Sequence, residues 1–173
     1  LYILHHWDNE TRLEESLRAM DDLVRQGKIR YVGVSNFSAW QVTKSLWVAD
    51  SMGLDPVRSV QVQYSYLHRD PELELLPMAE AHGLSVTPFW VFSAGMFAGR
   101  YQRGEEPSTG TRFKERPSYL QRFMRDPIFD MVDKVGAVAA DAGHSPAEIT
   151  IAWALSKPAI SSILIGSSRP EQV

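Results

Sequence analysis

The chain has 173 residues, 44% of them hydrophobic, which is the length of one domain with enough apolar content to fill a core and excludes a disordered tail. Eighteen basic and 21 acidic side chains leave a net charge of −3, so the positive field that a nucleic-acid phosphate backbone demands is missing. The absence of cysteine excludes disulfides, thiolate metal sites and a cysteine nucleophile together, and no metal site is expected.

Apolar β-formers alternate with helical patterns along the chain. Leu1–His5 is the first predicted strand. Over Glu10–Gln26 the residues Leu13, Leu17, Met20, Leu23 and Val24 put one apolar stripe on a helix, which Gly27 stops. Arg30–Val34 reads as strand, Ser38–Ser51 as helix with Gly53 behind it, and Val60–Gln63 as the third strand. Asp70-Pro71 pairs a cap with a proline at the first helical position, predicting a helix that runs to His82 and ends at Gly83. Leu84–Phe89 is the fourth strand. Residues 100–117, charged and rich in Pro and Gly without periodicity, predict a long loop. Asp126-Pro127 and Ser145-Pro146 open two helices ending near Ala142 and Ser156, Ile160–Ile165 is the fifth strand, and Arg169-Pro170 starts a further helix.

Strand, helix, strand order with short links implies parallel strands joined by helical crossovers. Polar residues fall near the carboxyl ends of different strands: His5-His6, Ser35-Asn36, Gln61 and Gln63, Phe89-Trp90 and Gly166-Ser167. A barrel gathers such ends into one ring, whereas an open dinucleotide-binding sheet carries a G-x-G-x-x-G turn that is missing here. The fold class expected is therefore α/β, a (β/α)₈ TIM barrel present as an incomplete barrel of about five parallel strands. A whole barrel needs roughly 250 residues; the sequence also starts inside an apolar run and ends at Pro-Glu-Gln-Val. Residues 1–173 are accordingly expected to be a single domain that lacks strands 1 to 3 and the extreme C-terminus. No apolar run reaches the roughly 20 residues that cross a bilayer, and the first residues do not resemble a signal peptide. A soluble, cytoplasmic protein with no membrane partner is expected. Open sheet edges invite self-association.

In a regular strand His5 and His6 point to opposite faces. His5 shares a side with Ile3 and is the candidate for the barrel mouth, where an imidazole could orient a substrate carbonyl; a hydrogen-bonded structural histidine is the alternative. Ser35 and Asn36 can each cap the helix near Ser38, although a cap needs only one of them. Two amides on one face of a central strand, Gln61 and Gln63, need polar partners. Gly166-Ser167-Ser168 before Pro170 has the makings of a phosphate-binding turn, or of an ordinary strand-to-helix turn. Arg100 and Arg112 flank the long loop, and Phe89 and Trp90 could stack on a flat ring or belong to the core.

Four stretches, in order, carry a resemblance: Gly27–Phe37, Val60–Tyr64, Ser93–Tyr101 and Ile165–Gln172. Together they resemble the aldo-keto reductase superfamily, NADPH-dependent (β/α)₈ oxidoreductases, from its fourth strand through its eighth, and most of all bacterial oxidoreductases similar to potassium channel β-subunits. The resemblance implies that NADP(H) is the cofactor and a small-molecule aldehyde or ketone the substrate. It gives His5 the substrate-orienting role and makes Ser35, Asn36 and Gln61 holders of the nicotinamide carboxamide. Phe89 is implied as the stacking aromatic. Arg100 and Arg112 are implied at the cofactor phosphates, and Gly166, Ser168 and Gln172 at the adenosine end. Trp90 occupies a position that is small in many relatives and bulky in others. The family's acid, a Tyr tuned by Lys and Asp, falls on earlier strands, so the segment alone is expected to be inactive. The rival functions are a non-catalytic NADP-binding regulatory subunit of a membrane protein and a phosphate-binding barrel lyase or isomerase. The latter is disfavoured as a Schiff-base enzyme because every lysine falls in a loop or helix.

Overall fold

A computed structural model describes residues 1–167 of the protein. Its centre is a parallel sheet of β1 (Tyr2–Leu4), β2 (Val32–Ser35), β3 (Val57–Gln63) and β4 (Ser85–Phe89), arranged in sequence order. Helices α1 (Leu13–Arg25), α2 (Ala39–Met52) and α3 (Leu75–Ala81) make the crossovers. Beyond β4 come two short helices, α4 (Arg112–Glu115) and α5 (Pro117–Phe123), then α6 (Asp126–Ala142) and α7 (Pro146–Leu155).

The two faces of the sheet differ in chemistry, and strand alternation separates them. Val32, Val34, Val60 and Val86 are buried in one cluster with Leu17 and Met20 of α1, Val42 and Val48 of α2, Ala79 of α3 and Ala154 of α7. Full burial of each valine, leucine or methionine among them contributes about 1.5–3 kcal/mol. Residues of the other parity form cross-strand rows: Ile3, Gly33, Ser59 and Ser85, then Ser35, Gln61 and Thr87, then Gln63 and Phe89. Small and polar side chains dominate these rows. A Cβ on Gly33 would stand 3.1 Å from Ile3 Cγ1 and 3.3 Å from the Ser59 carbonyl oxygen, so glycine is what allows β1 and β3 to close on β2 there.

Three expectations need correction. The segment 160–165 does not form a fifth strand. It runs parallel to β4, with the Val86 N–H donating to Ala159 O at 2.9 Å, Ser161 N–H to Val86 O at 3.1 Å and Leu164 N–H to Pro88 O at 2.9 Å. Only a single bridge, Val86 to Ile160, results, because Pro88 has no N–H with which to return the next ladder bond. The helix predicted from Asp70 to His82 is divided into a 3₁₀ turn at Asp70–Glu72 and α3 from Leu75. Pro77 explains the break: in one continuous helix its ring would clash with the preceding turn, whereas at the third residue of α3 no N–H is needed. Finally, the predicted loop 100–117 contains α4 and the start of α5. Phe113, fully buried, stacks on Tyr101 at 4.2 Å and on Phe123 at 5.7 Å, and this aromatic cluster orders a segment that has no helical periodicity.

Candidate active site

Asn36 joins the ends of three strands. Its backbone is left-handed, φ 57°, a conformation asparagine tolerates better than most residues. In it the Asn36 N–H donates to Gln61 O at 3.1 Å. The side-chain Nδ2 donates to the His5 carbonyl oxygen and to Ser35 Oγ, both at 3.0 Å. Ser35 Oγ in turn lies 3.4 Å from Gln61 Oε1. Ser35 is fully buried, Gln61 half-buried and Asn36 exposed. Neither Ser35 nor Asn36 makes a helix cap: Ser38 is the N-cap of α2, and its N–H donates to Gln41 Oε1 at 2.8 Å. The two polar side chains are thus left for the strand ends. Next to them Thr87 Oγ1, in the same cross-strand row, is buried without a hydrogen-bond partner among the described residues.

His5 lies beyond the strand, since β1 stops at Leu4. Alternation therefore does not divide the two imidazoles, as the sequence led one to expect; both are exposed, with ring centroids 4.2 Å apart. The shared place in the site rests on the His5 main chain, held by Asn36.

Phe89 ends β4 half-buried, opposite Gln63, and its carbonyl accepts from Tyr64 N–H at 3.2 Å. Trp90 follows in a left-handed conformation, φ 67°, costly for a bulky residue. The Arg112 guanidinium sits over its indole, 5.4 Å from the ring centroid. Arg100 and Arg112 are exposed, and neither forms an ion pair with a described residue. Gly166 is exposed, two residues past the Leu164 N–H bond to Pro88 at the carboxyl half of β4. Ser168 and Gln172 lie outside the described residues. The structure thus joins Ser35, Asn36, Gln61 and the His5 backbone by hydrogen bonds. It puts Phe89 in the next cross-strand row, opposite Gln63, and shows no bond from Arg100, Arg112 or Gly166 to that cluster.

Two groups behind the strand ends escaped the sequence reading. Ser93, buried with φ 47°, donates to buried Ser65 Oγ at 3.1 Å. Ser65 Oγ also meets His68 Nδ1 at 3.3 Å, and His68 Nε2 meets Arg122 of α5 at 3.4 Å. Burial, aided by the Arg122 charge, lowers the His68 pKa. Tyr64, fully buried and stacked on Trp153 at 5.0 Å, donates its hydroxyl to Glu72 at 2.6 Å. Burial and then Glu72 push that phenol far above its ordinary range. Among the described residues, the four non-glycine residues with positive φ, Asn36, Trp90, Ser93 and Ala94, all follow the carboxyl ends of β2 and β4. Left-handed geometry of non-glycine residues leaves no periodic trace in a sequence, although Asn after a strand is a usable signal.

Comparison with known proteins places these observations in a family context. The family model described as Aldo/keto reductase family matches residues 1–173. An aryl-alcohol dehydrogenase of Pestalotiopsis microspora is 31% identical over 100% of this chain and 42% of its own. A protein described as "Probable voltage-gated potassium channel subunit beta" from Arabidopsis thaliana is 31% identical over 98% of this chain and 52% of its own. The glycerol dehydrogenase of Gluconobacter oxydans superposes with a TM-score of 0.78 at 25% identity, over 99% of this chain and 50% of that one. The chain spans about half the length of the curated relatives it matches.

Proposed function

The chain belongs to the aldo/keto reductase family, and on that premise we propose that it supplies the nicotinamide-holding strand ends of an NADPH-dependent oxidoreductase that reduces aldehyde or ketone carbonyls to alcohols. The observation that carries this reading is the network of Ser35, Asn36 and Gln61 at adjoining carboxyl ends. A carboxamide has an acceptor and two donors; a hydroxyl and two amides at neighbouring strand ends match it. The unpartnered Thr87 Oγ1 beside them is the kind of buried polar atom a ligand satisfies. The half-buried Phe89 ring offers an apolar face, and the exposed Arg100 and Arg112 offer charge to phosphates. This donor set fits NADP(H).

In the proposed enzyme Ser35, Asn36 and Gln61 fix the carboxamide and thereby the face of the nicotinamide ring presented to substrate. Phe89 packs against that ring and excludes water. Arg100 and Arg112 hold the phosphates, while Gly166, Ser168 and Gln172 attend the adenosine end. The bound cofactor supplies a hydride from C4 of the ring. The imidazole of His5 donates a hydrogen bond to the substrate carbonyl oxygen and so orients it. No residue of this chain is assigned the proton donor. Tyr64 is unsuited to that role, because its buried hydroxyl is committed to Glu72 and strongly reluctant to ionise. On this reading the chain is the C-terminal part of a single barrel domain; by itself it binds the nucleotide and does not turn over carbonyl compounds.

Titration of the chain with NADPH and NADH, followed by nucleotide fluorescence, tests the proposal. Saturable binding is expected, tighter for NADPH, and weaker by about tenfold in Gln61→Ala, the loss of about 1.4 kcal/mol. Absence of binding, or a Gln61→Ala protein that binds as tightly as the parent, overturns it. Likeness to a channel β-subunit favours a second reading, a nucleotide-binding regulatory subunit. Addition of an aldehyde to the full-length protein with bound NADPH separates the two: oxidation of the nucleotide marks the enzyme.

A further inference from the structure

Trp90 is held at two local costs. Its backbone is left-handed, φ 67°, in a region that bulky side chains avoid. Its indole N–H is buried with no acceptor among the described residues, a loss that native structures rarely accept without a reason. What the residue does present is its ring face. Arg112 Cζ lies 5.4 Å from that ring's centroid, within the range of a cation–π contact. Tyr119 and Phe123 of α5 pack against the same indole at 5.5 and 6.3 Å, and the Ser93 N–H donates to Trp90 O at 2.8 Å. The ring is thus packed against α5, and the exposed guanidinium rests on it just past the carboxyl end of β4.

We propose that Trp90 is a positioning residue: its indole face holds the Arg112 guanidinium ready over the end of β4 for the phosphates of the nucleotide. Without the ring, Arg112 would be a free side chain on a four-residue helix and would have to be ordered each time a phosphate bound. A preorganised cation avoids that entropic cost. The inference rests on the reading that this chain binds a nicotinamide nucleotide near Arg112.

The test is a double-mutant cycle on NADPH affinity with Trp90→Ala, Trp90→Phe and Arg112→Gln. Arg112→Gln is expected to weaken binding about tenfold and Trp90→Ala about threefold. The double variant Trp90→Ala, Arg112→Gln should be no weaker than Arg112→Gln alone, because the ring acts only through the guanidinium. Trp90→Phe keeps an aromatic face and should restore most of the affinity; it should also keep the salt dependence of binding, which Trp90→Ala flattens. Additive effects, or a Trp90→Phe protein as weak as Trp90→Ala, overturn the proposal. The second result would mean that the indole N–H is what is used. Nuclear magnetic resonance of the nucleotide-free protein gives an independent reading. The Arg112 Nε–H signal should carry a ring-current shift that Trp90→Ala removes and Trp90→Phe keeps; an Arg112 signal indifferent to Trp90 contradicts the seat. If the parent protein shows the shift but binds no NADPH, it is the nucleotide reading that fails.

Discussion

Asn36 Nδ2 donates to the His5 carbonyl oxygen at 3.0 Å, tying the end of β2 to the end of β1, while the Asn36 N–H bonds Gln61 O at the end of β3. One residue thus supports three strand ends at the candidate site. Asn36→Ala removes the side-chain bonds and a residue type suited to φ 57°. Denaturant unfolding should show a loss of about 1–2 kcal/mol, and NADPH affinity should fall at least tenfold. Asn36→Asp, which keeps the size and left-handed tolerance but not the donors, should recover part of the stability and little of the affinity. An alanine variant with unchanged affinity would remove Asn36 from the site.

Glu72 should set the acid limit of stability. Arg69 binds its carboxylate through Nε at 2.9 Å and Nη2 at 2.6 Å, and the Tyr64 hydroxyl adds a third bond. Arg69 first, then Tyr64, hold its pKa below the ordinary 4.5. A carboxylate with a depressed folded pKa contributes stability that is present above the unfolded value and lost as pH falls through the folded one. Melting temperature should therefore decline below about pH 4.5, and the decline should be shallower in Glu72→Gln. Tyr64→Phe, which deletes one bond, should cost about 1 kcal/mol at neutral pH. Equal acid slopes for the parent and Glu72→Gln would contradict this assignment.

His68 acts with the opposite charge logic. It is a base whose folded pKa lies below 6.5 because of burial and the nearby Arg122, with Asp70 pulling the other way. The unfolded chain therefore binds the proton more readily, and stability drops as pH falls from about 6.5 towards the folded value. His68→Gln keeps a polar partner for Ser65 and Arg122 and should abolish that part of the pH dependence. Amide protection factors over Pro117–Phe123, which divide out the intrinsic pH dependence of exchange, should fall in the parent over the same interval, since Arg122 lies in this helix. Protection factors that stay constant between pH 5 and 7, about the range in which histidine titrates, would contradict the coupling.

The outer edge of β1 has no strand beside it among the described residues, and Tyr2 is 54% exposed there. Unpaired edges recruit other chains. Light scattering of the 173-residue chain should show association that rises with concentration, and Ile3→Lys should suppress it. A monomer at all concentrations would contradict the edge as an association surface.

The parts of the fold legible in the sequence were those with periodic signatures. Val32 and Val34 of β2 and Val60 and Val62 of β3 alternate, Ser145-Pro146 marks a helix start that the structure contains, and Gly53 ends its helix in left-handed geometry. What failed was decided by single prolines and by packing at a distance. Pro77 moved the start of α3, Pro88 broke the ladder that Ile160–Ile165 would have joined, and the stacking of Phe113 on Tyr101 ordered a stretch with no period. At the candidate site, residue types at strand ends were enough to nominate Ser35, Asn36 and Gln61. Strand alternation does not separate His5 from His6, because β1 stops at Leu4 and both residues lie beyond it. The Arg112 contact with Trp90 spans 22 positions and has no local signature.

A nicotinamide nucleotide is expected to meet this chain at the carboxyl ends of β2 and β3. Chemical-shift mapping of the labelled protein during addition of NADP⁺ answers that directly. The prediction is that the Ser35 and Asn36 backbone amides and the Asn36 and Gln61 side-chain amides move together and saturate at one concentration, with Phe89 moving alongside them. Saturable shifts confined to other surfaces, with these signals unmoved, would contradict the account.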